Sequence, residues 1–282
     1  NLRINGKNIP MDALVESAFD SYEKVYPATS TPDMKRLLPK GMEGVKPFKA
    51  KKQDLRYKGE KIAEPVAYLP VFPGTNCDYD TAKAFRKAGA KVKMSVFRNL
   101  TEQDVFDSID EMKRNIDECQ ILMFCGGFSA GDEPDGSGKF IANVLNNEKI
   151  AAAVEALIAR GGLILGICNG FQALVKSGLL PYGHLGCVTK DSPTLFRNDI
   201  NRHISQIAFT RVASVNSPWL AGMNIGDTYG IPVSHGEGKF VVNEELAKEL
   251  FENGQVAFQY AEPIDEDVTM RSPNNPNGSY YA

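Results

Sequence analysis

From residue 65 onward, short apolar runs alternate with stretches in which apolar positions recur at helical spacing. The runs predict strands at residues 66–72, 91–97, 120–125 and 163–167. Helices are predicted between and after them, at residues 81–88, from Thr101 onward, and at residues 151–160 and 171–178. This order is typical of an α/β fold in which a mostly parallel sheet is doubly wound, with helices on both faces.

Further strands and one helix are predicted in the last third of the chain. Residues 203–212 and 230–234 are predicted strands, residues 243–254 a helix closed by glycine, and residues 255–260 a late strand. In doubly wound sheets, functional sites lie at the carboxyl ends of the strands. The loops at residues 72–74, 125–127 and 168 all follow strands, so we expect them to meet at one edge of the sheet.

Residues 1–63 differ from the rest of the chain. Residues 12–22 are compatible with an amphipathic helix, and residues 27–58 contain repeated prolines and a lysine-rich segment at 46–52. This composition predicts an extended connector that runs over a surface. The domain boundaries are therefore predicted as an N-terminal connector at residues 1–63 and a folded domain at residues 64–282.

Composition narrows the function classes. The 282-residue chain is 43% hydrophobic and 24% charged, which is ordinary for a soluble globular protein, and its formal net charge of −3 gives no case for binding nucleic acid or a membrane. Five cysteines without paired CxxC spacing predict a reducing, cytoplasmic location and no disulfide or zinc framework. Metal-ligand spacing is absent from the sequence, so no catalytic metal is predicted.

The strongest chemical signal is the segment Gly161–Gln172. Gly166 and Gly170 flank Cys168, two positions to either side, at the turn from a buried strand to a helix. This is the pattern of a nucleophile elbow, which presents the sulfur to a cleft and directs helical N–H groups at it. The alternative is a buried cysteine that ends a core strand, because free cysteine is among the most buried residue types.

A candidate base comes late in the chain. His235 and Glu237 lie at a predicted strand end and are bracketed by glycines. A histidine there could deprotonate the cysteine, while the carboxylate fixes its tautomer. The alternative for a lone histidine is a structural side chain, but the other two histidines, His184 and His203, lack this setting.

Two other motifs are weaker. The glycine-rich segment 136–139 lacks the hydroxyl residue of a phosphate loop, because Phe140 stands in that position. Cys77, in a loop after a strand, is a rival nucleophile, but it lacks the flanking glycine pair and a structural role is favoured.

These residues carry a family resemblance. Gly166–Gln172 and His235–Glu237 resemble class I (triad) glutamine amidotransferases, and residues 72–80, 126–132 and 233–240 resemble the amidotransferase domain of phosphoribosylformylglycinamidine synthases. The resemblance covers residues 64–282 and implies a flavodoxin-like fold. It implies that residues 1–63 are a connector from a preceding synthetase portion, and that the chain is a C-terminal fragment of the large fused form, truncated before its natural end.

The resemblance also implies roles for individual residues. Cys168 would attack the carboxamide of L-glutamine with His235 and Glu237 as its partners, giving ammonia and a glutamyl thioester. The backbone N–H of Asn169 would be one oxyanion donor. The resemblance assigns the other to Gly126 or Gly127, with Gly127 favoured, and places Gln172 at a position that contacts the substrate.

The implied partner is a synthetase portion of the same polypeptide. There, ammonia would serve the ATP-dependent conversion of formylglycinamide ribonucleotide to formylglycinamidine ribonucleotide in purine biosynthesis. ATP and magnesium are expected to bind only that absent portion, so no cofactor is expected here and the isolated fragment is expected to be poorly active.

Two other functions stay open at this point. The first is a different cysteine hydrolase on the same scaffold, such as a peptidase or a deglycase-like protein, which Gln172 and the His-Gly-Glu group disfavour. The second is a catalytically silent docking module, which intact Cys168, His235 and Glu237 disfavour.

Overall fold

The structure is a computed structural model, and it describes residues 2–14, 17, 62–129, 138–264, 267–270 and 272–282. It begins with an antiparallel hairpin of strands β1 (Leu2–Ile4) and β2 (Lys7–Ile9). The φ angles of Asn5 and Gly6 are 49° and 79°, as a two-residue hairpin turn requires. Residues 11–14 and 17 are helical; most of the connector predicted at residues 1–63 lies outside the described residues.

A four-stranded parallel sheet forms the centre of the domain. Its strands are β3 (Val66–Val71), β4 (Lys91–Val96), β5 (Ile121–Phe124) and β6 (Leu163–Gly166), in the order β4-β3-β5-β6. This order is flavodoxin-like. The predicted doubly wound α/β fold is confirmed.

Five helices connect these strands or follow them. They are α1 (Asp78–Lys87), α2 (Glu102–Glu118), α3 (Lys139–Leu145), α4 (Glu148–Ala159) and α5 (Asn169–Lys176). Helix α2 follows Thr101, where a helix was predicted to begin, and Thr101 caps it in a reciprocal capping box with Asp104. Helix α3 was not predicted, because it is short and follows a glycine-rich segment.

The core lies on both faces of this sheet. Alternate strand residues point to opposite faces. On one face Tyr68 and Leu122 pack with apolar residues of α2 and α4, and on the other Leu69 and Met123 pack with Ala82 of α1. All of these strand side chains are fully buried. The sheet is therefore rigid where its carboxyl ends present loops.

The later strands form sheets of their own. After α6 (Leu179–Tyr182) come β7 (Thr194–Phe196), β8 (Ile204–Val212), a 3₁₀ turn (Pro218–Leu220), β9 (Thr228–His235), β10 (Lys239–Val241), α7 (Glu244–Glu252) and β11 (Phe258–Tyr260). Strands β11, β8 and β9 make a three-stranded antiparallel sheet, and β7 pairs with β10. None of the described helices is long and apolar enough to cross a membrane.

Candidate active site

Cys168 occupies the turn between β6 and α5. Its side chain is exposed, and its backbone has φ 53° and ψ −111°. A non-glycine residue in such a conformation costs on the order of 1–3 kcal/mol, and this kind of strain concentrates at functional sites. The residue is also the N-cap of α5, so the first backbone N–H groups of the helix follow it directly.

The two glycines around Cys168 allow this tight turn. A Cβ on Gly170 would lie 2.1 Å from the carbonyl oxygen of Phe124, and one on Gly166 would lie 2.6 Å from a side-chain carbon of Leu174. Helix α5 therefore packs directly on the ends of β5 and β6 only because both positions lack a side chain. The glycine spacing seen in the sequence has this steric cause.

A second tight loop lies beside the elbow. The turn after β3 and the loop after β5 form an isolated bridge between Thr75 and Gly127. Phe128 N donates to Gly74 O at 2.8 Å, and Asn76 N donates to Gly126 O at 3.1 Å. In this pairing the hydrogen bonds are made by the neighbours of Thr75 and Gly127, not by these two residues. The N–H of Gly127 therefore points away from Thr75, in the direction in which β6 lies next to β5.

Two backbone donors are left available at this edge. Within the described residues, neither the N–H of Gly127 nor that of Asn169 has a hydrogen-bond acceptor. Gly127 has φ 141°, and a Cβ there would lie 2.4 Å from Gly74 O, so only glycine fits. Oriented N–H groups of this kind can stabilise an oxyanion.

Buried amides connect the elbow helix to its surroundings. The side chain of Asn169, 1% exposed, accepts from Ser129 N at 3.2 Å and donates to Gln172 Oε1 at 3.1 Å. Gln172 in turn donates from Nε2 to the carbonyl oxygen of Glu237 at 3.0 Å. The structure thus brings Cys168, Asn169 and Gln172 together with the loop that holds Glu237.

His235 is held by a residue that the sequence did not single out. Its Nδ1 lies 3.0 Å from Oδ1 of Asn198, which also accepts from Gly238 N at 3.1 Å. Nδ2 of Asn198 donates to the carbonyl oxygens of Arg202 and His235. These contacts fix the amide orientation, so His235 Nδ1 carries the proton and Nε2 is the acceptor of the neutral ring.

The roles predicted for Cys168, His235 and Glu237 stay predictions. Asn198 is a further residue that holds the imidazole, through Nδ1 of His235. Asn198 lies 37 positions before His235, in a loop without a sequence signature. No local pattern could have identified it.

Burial changes the protonation of several of these groups. Desolvation is the main reason that the pKa of His235 lies below its usual value of 6.5. Desolvation also raises the pKa of the Cys125 thiol to about 11. The imidazole is therefore neutral at pH 7, and Cys125 stays protonated.

A cavity of about 830 Å³ lies along the edge of β6 that does not pair with β5. Its lining is mainly apolar and includes Ile164, Phe171 and Trp219, whose indole N–H donates to Ile164 O at 3.0 Å. Neither Cys168 nor Gly127 lines this cavity.

Metal ligands are not clustered in the part of the chain that the structure describes. No group of three or more His, Cys, Asp or Glu residues there could hold a metal ion. The prediction that this chain carries no cofactor stays a prediction.

A strained, exposed cysteine at the strand-to-helix turn of a parallel α/β sheet is the arrangement of enzymes with a cysteine nucleophile. Residues 64–282 match the family described as CobB/CobQ-like glutamine amidotransferase domain. This match covers most of the chain, and the chain belongs to this family.

Similar proteins have related names. A 210-residue match, 35% identical, covers 74% of this chain and 72% of phosphoribosylformylglycinamidine synthase subunit PurQ from Methanococcus maripaludis strain C5. The PurQ subunit of Gloeobacter violaceus is 32% identical over 211 residues, covering 75% of this chain and 77% of that protein. A solved structure, titled Structure of PurLQS from Thermotoga maritima, matches with a TM-score of 0.51 and 25% identity, covering 78% of this chain and 87% of that one.

Proposed function

We propose that this chain is the glutamine-hydrolysing part of a phosphoribosylformylglycinamidine synthase, with Cys168 as the nucleophile. The observation that carries the proposal is the strained Cys168 elbow beside the N–H groups of Gly127 and Asn169, which have no acceptor among the described residues. Membership of the amidotransferase family and the names of the similar PurQ subunits support the same substrate and pathway.

The proposed chemistry has two stages. The sulfur of Cys168 attacks the carboxamide carbon of L-glutamine, and the resulting oxyanion accepts hydrogen bonds from Gly127 and Asn169. The carbon–nitrogen bond then breaks, ammonia leaves with a transferred proton, and a glutamyl thioester remains. Water hydrolyses the thioester, which gives glutamate and restores the thiol. Gln172 supports the substrate side of the elbow by fixing the loop at Glu237.

The proposed proton transfers involve His235. The sequence predicts His235 as base and Glu237 as its orienting carboxylate. The Nδ1–H tautomer set by Asn198 leaves Nε2 of His235 able to accept a proton. The role of His235 as base thus stays a prediction, and substitution tests it.

The partner is proposed to be a synthetase portion. The similar proteins are subunits named PurQ, and the similar structure is titled PurLQS. We propose that ammonia from Cys168 passes to a synthetase portion, which binds ATP and magnesium and converts formylglycinamide ribonucleotide to its amidine. We also propose that this portion belongs to the same polypeptide, joined through residues 1–63, and that the protein works in the cytoplasm.

The test is glutamate release from L-glutamine, measured for the chain alone and with a synthetase portion, ATP and formylglycinamide ribonucleotide. We expect slow release alone and faster release with the partner, because docking shifts the population toward an ordered site. Cys168→Ala should abolish release in both cases. Cys187→Ala, at an exposed cysteine on the loop after α6, is the matched control and should retain it. Undiminished release by Cys168→Ala would exclude the proposed nucleophile.

A further inference from the structure

A second exposed thiol lies beside Cys168. A Cβ atom added to Gly126 would lie 3.4 Å from Cβ of Cys168 and 3.5 Å from Sγ of Cys77. Both cysteines are exposed, and neither is in a disulfide. Cys77 and Cys168 therefore face the same small space, which is open because residue 126 has no side chain.

The backbone holds both cysteines in place. Cys77 is the N-cap of α1, and its N–H and that of Asn76 both approach the carbonyl oxygen of Gly126, at 3.5 Å and 3.1 Å. Cys168 is the N-cap of α5. Each sulfur thus projects from the start of a helix that packs on the rigid central sheet. A disulfide requires the two Cβ atoms to approach within about 3.5–4.5 Å, and the sulfur of Cys77 and Cβ of Cys168 adjoin the same space above Gly126.

The other cysteines cannot compete for this role. Cys119 and Cys125 are buried, and desolvation raises the pKa of each thiol to about 11, so each stays protonated and unreactive. Cys187 is exposed, but its sulfur is directed to the carbonyl oxygen of Leu185 on the loop after α6. Only Cys77 is placed to react with Cys168.

We propose that Cys77 is the resolving thiol of a peroxide-sensitive site, and that it forms a reversible disulfide with Cys168. Hydrogen peroxide is the oxidant. The Cys168 thiolate attacks one peroxide oxygen, the O–O bond breaks, and after protonation the products are a sulfenic acid and one water. The Cys77 sulfur then attacks the Cys168 sulfur, the S–O bond breaks, and a second water leaves with the Cys77 proton. Two thiols and one peroxide become one disulfide and two waters.

This bond protects Cys168 from irreversible oxidation. A sulfenic acid without a nearby thiol reacts with further peroxide to sulfinic acid, which thiol reductants do not reverse. The disulfide stops that reaction and returns to two thiols when reductant is restored. The effect on glutamine hydrolysis rests on the proposed function, because it requires Cys168 to be the nucleophile. The formation of the bond does not.

The experiment measures the bond itself. The full chain is treated with hydrogen peroxide without reductant, digested without reduction and analysed by mass spectrometry, with a second sample reduced by dithiothreitol. We expect a Cys77–Cys168 cross-linked peptide that dithiothreitol removes completely. Cys77→Ser should instead accumulate sulfinic and sulfonic acid on Cys168, which dithiothreitol does not remove. Cys187→Ser, the matched control at another exposed cysteine, should behave like the unsubstituted chain.

Gly126→Ala provides an independent test. Its methyl group meets the neighbouring atoms at ordinary contact distances, so the loop should fold, but the group fills the space that adjoins the sulfur of Cys77 and Cβ of Cys168. We expect a several-fold loss of cross-link. Two results would overturn the proposal. The first is as much sulfinic acid on Cys168 in the unsubstituted chain as in Cys77→Ser, and the second is a cross-link from Cys168 to another cysteine. The proposed function fails separately. If the Cys77–Cys168 cross-link forms but Cys168→Ala still hydrolyses glutamine, only the proposed function is refuted.

Discussion

The side-chain amide of Gln172 donates a 3.0 Å hydrogen bond to the backbone carbonyl oxygen of Glu237. Gln172 lies one helical turn after Cys168, and its own N–H donates to Cys168 O at 3.0 Å. A single, nearly buried side chain thus joins the nucleophile elbow to the loop that follows β9. The resemblance gave Gln172 a substrate contact; the structure adds a structural contact between two distant parts of the chain.

Replacement of Gln172 by Met should loosen this connection. Met has a similar shape but leaves the carbonyl oxygen of Glu237 and the amide of Asn169 without their partner. An unsatisfied buried polar group costs about 1–3 kcal/mol. We expect the free energy of unfolding in urea to fall by about that amount, and the KM for glutamine to rise more than kcat falls.

Gln103→Met is the control for this variant. Gln103 lies on the exposed surface of α2, where its side-chain amide donates to Asp107 Oδ1. Its replacement should change the free energy of unfolding by less than about 0.5 kcal/mol. Equal effects of the two substitutions would show that the Gln172–Glu237 bond does not join the two loops.

Gly127→Ala should damage the proposed oxyanion site. The added Cβ would lie 2.4 Å from Gly74 O and 2.7 Å from Asn76 N, both backbone atoms, so the loop must shift and carry its N–H away. Loss of one oxyanion donor lowers kcat by about 10²–10³-fold. We expect a loss of this size in glutamate release.

Gly89→Ala separates this effect from backbone strain alone. Gly89 also has a positive φ, 92°, but a Cβ there meets nothing within 4 Å. The control should lower stability slightly and leave kcat unchanged. If Gly127→Ala kept full kcat, Gly127 would not be an oxyanion donor.

His235 should make stability depend on pH. Burial lowers the pKa of its imidazole in the folded chain below 6.5, whereas the unfolded chain keeps the ordinary value. Above 6.5 the ring is neutral in both states and its contribution is fully present. As the pH falls through 6.5 the unfolded chain binds a proton that the folded chain does not, so the free energy of unfolding decreases by at most about 1.4 kcal/mol per pH unit until the folded pKa is reached.

Chemical denaturation between pH 7.5 and about 5 measures this effect. His235→Gln should flatten the decrease, whereas His184→Gln, at an exposed histidine, should leave it in place. An unchanged decrease in His235→Gln would assign it to other groups. The same two variants, assayed for glutamate release, test whether His235 is the base: a base requires a loss of 10²-fold or more in His235→Gln alone.

The parallel sheet and the elbow could be predicted from the sequence, because both depend on patterns of residues that are close together in the chain. Apolar runs bounded by glycine predicted β3, β5 and β6 within one or two residues, and the Thr101 cap predicted the start of α2. The glycine spacing around Cys168 likewise predicted the turn, since its steric cause lies within a few residues of the cysteine.

Contacts between distant residues could not be predicted in this way. The alternating patterns of β8 and β9 fit the central sheet as well as the separate antiparallel sheet that they form. Asn198 contacts His235, which lies 37 positions later in the chain, and Gln172 contacts Glu237, which lies 65 positions later. The sequence predicted Glu237 as the partner of His235, and the contact with Asn198 is one that local pattern could not add to that prediction.

The central claim is that Cys168 is the nucleophile that attacks glutamine. The most direct measurement is the covalent product with a diazoketone analogue of glutamine, located by mass spectrometry of the digested chain and compared with residual glutamate release. We predict one adduct, on Cys168, with loss of activity in proportion to labelling, and no labelling of Cys168→Ala. An adduct on Cys77 instead, with activity that survives in Cys168→Ala, would contradict the account.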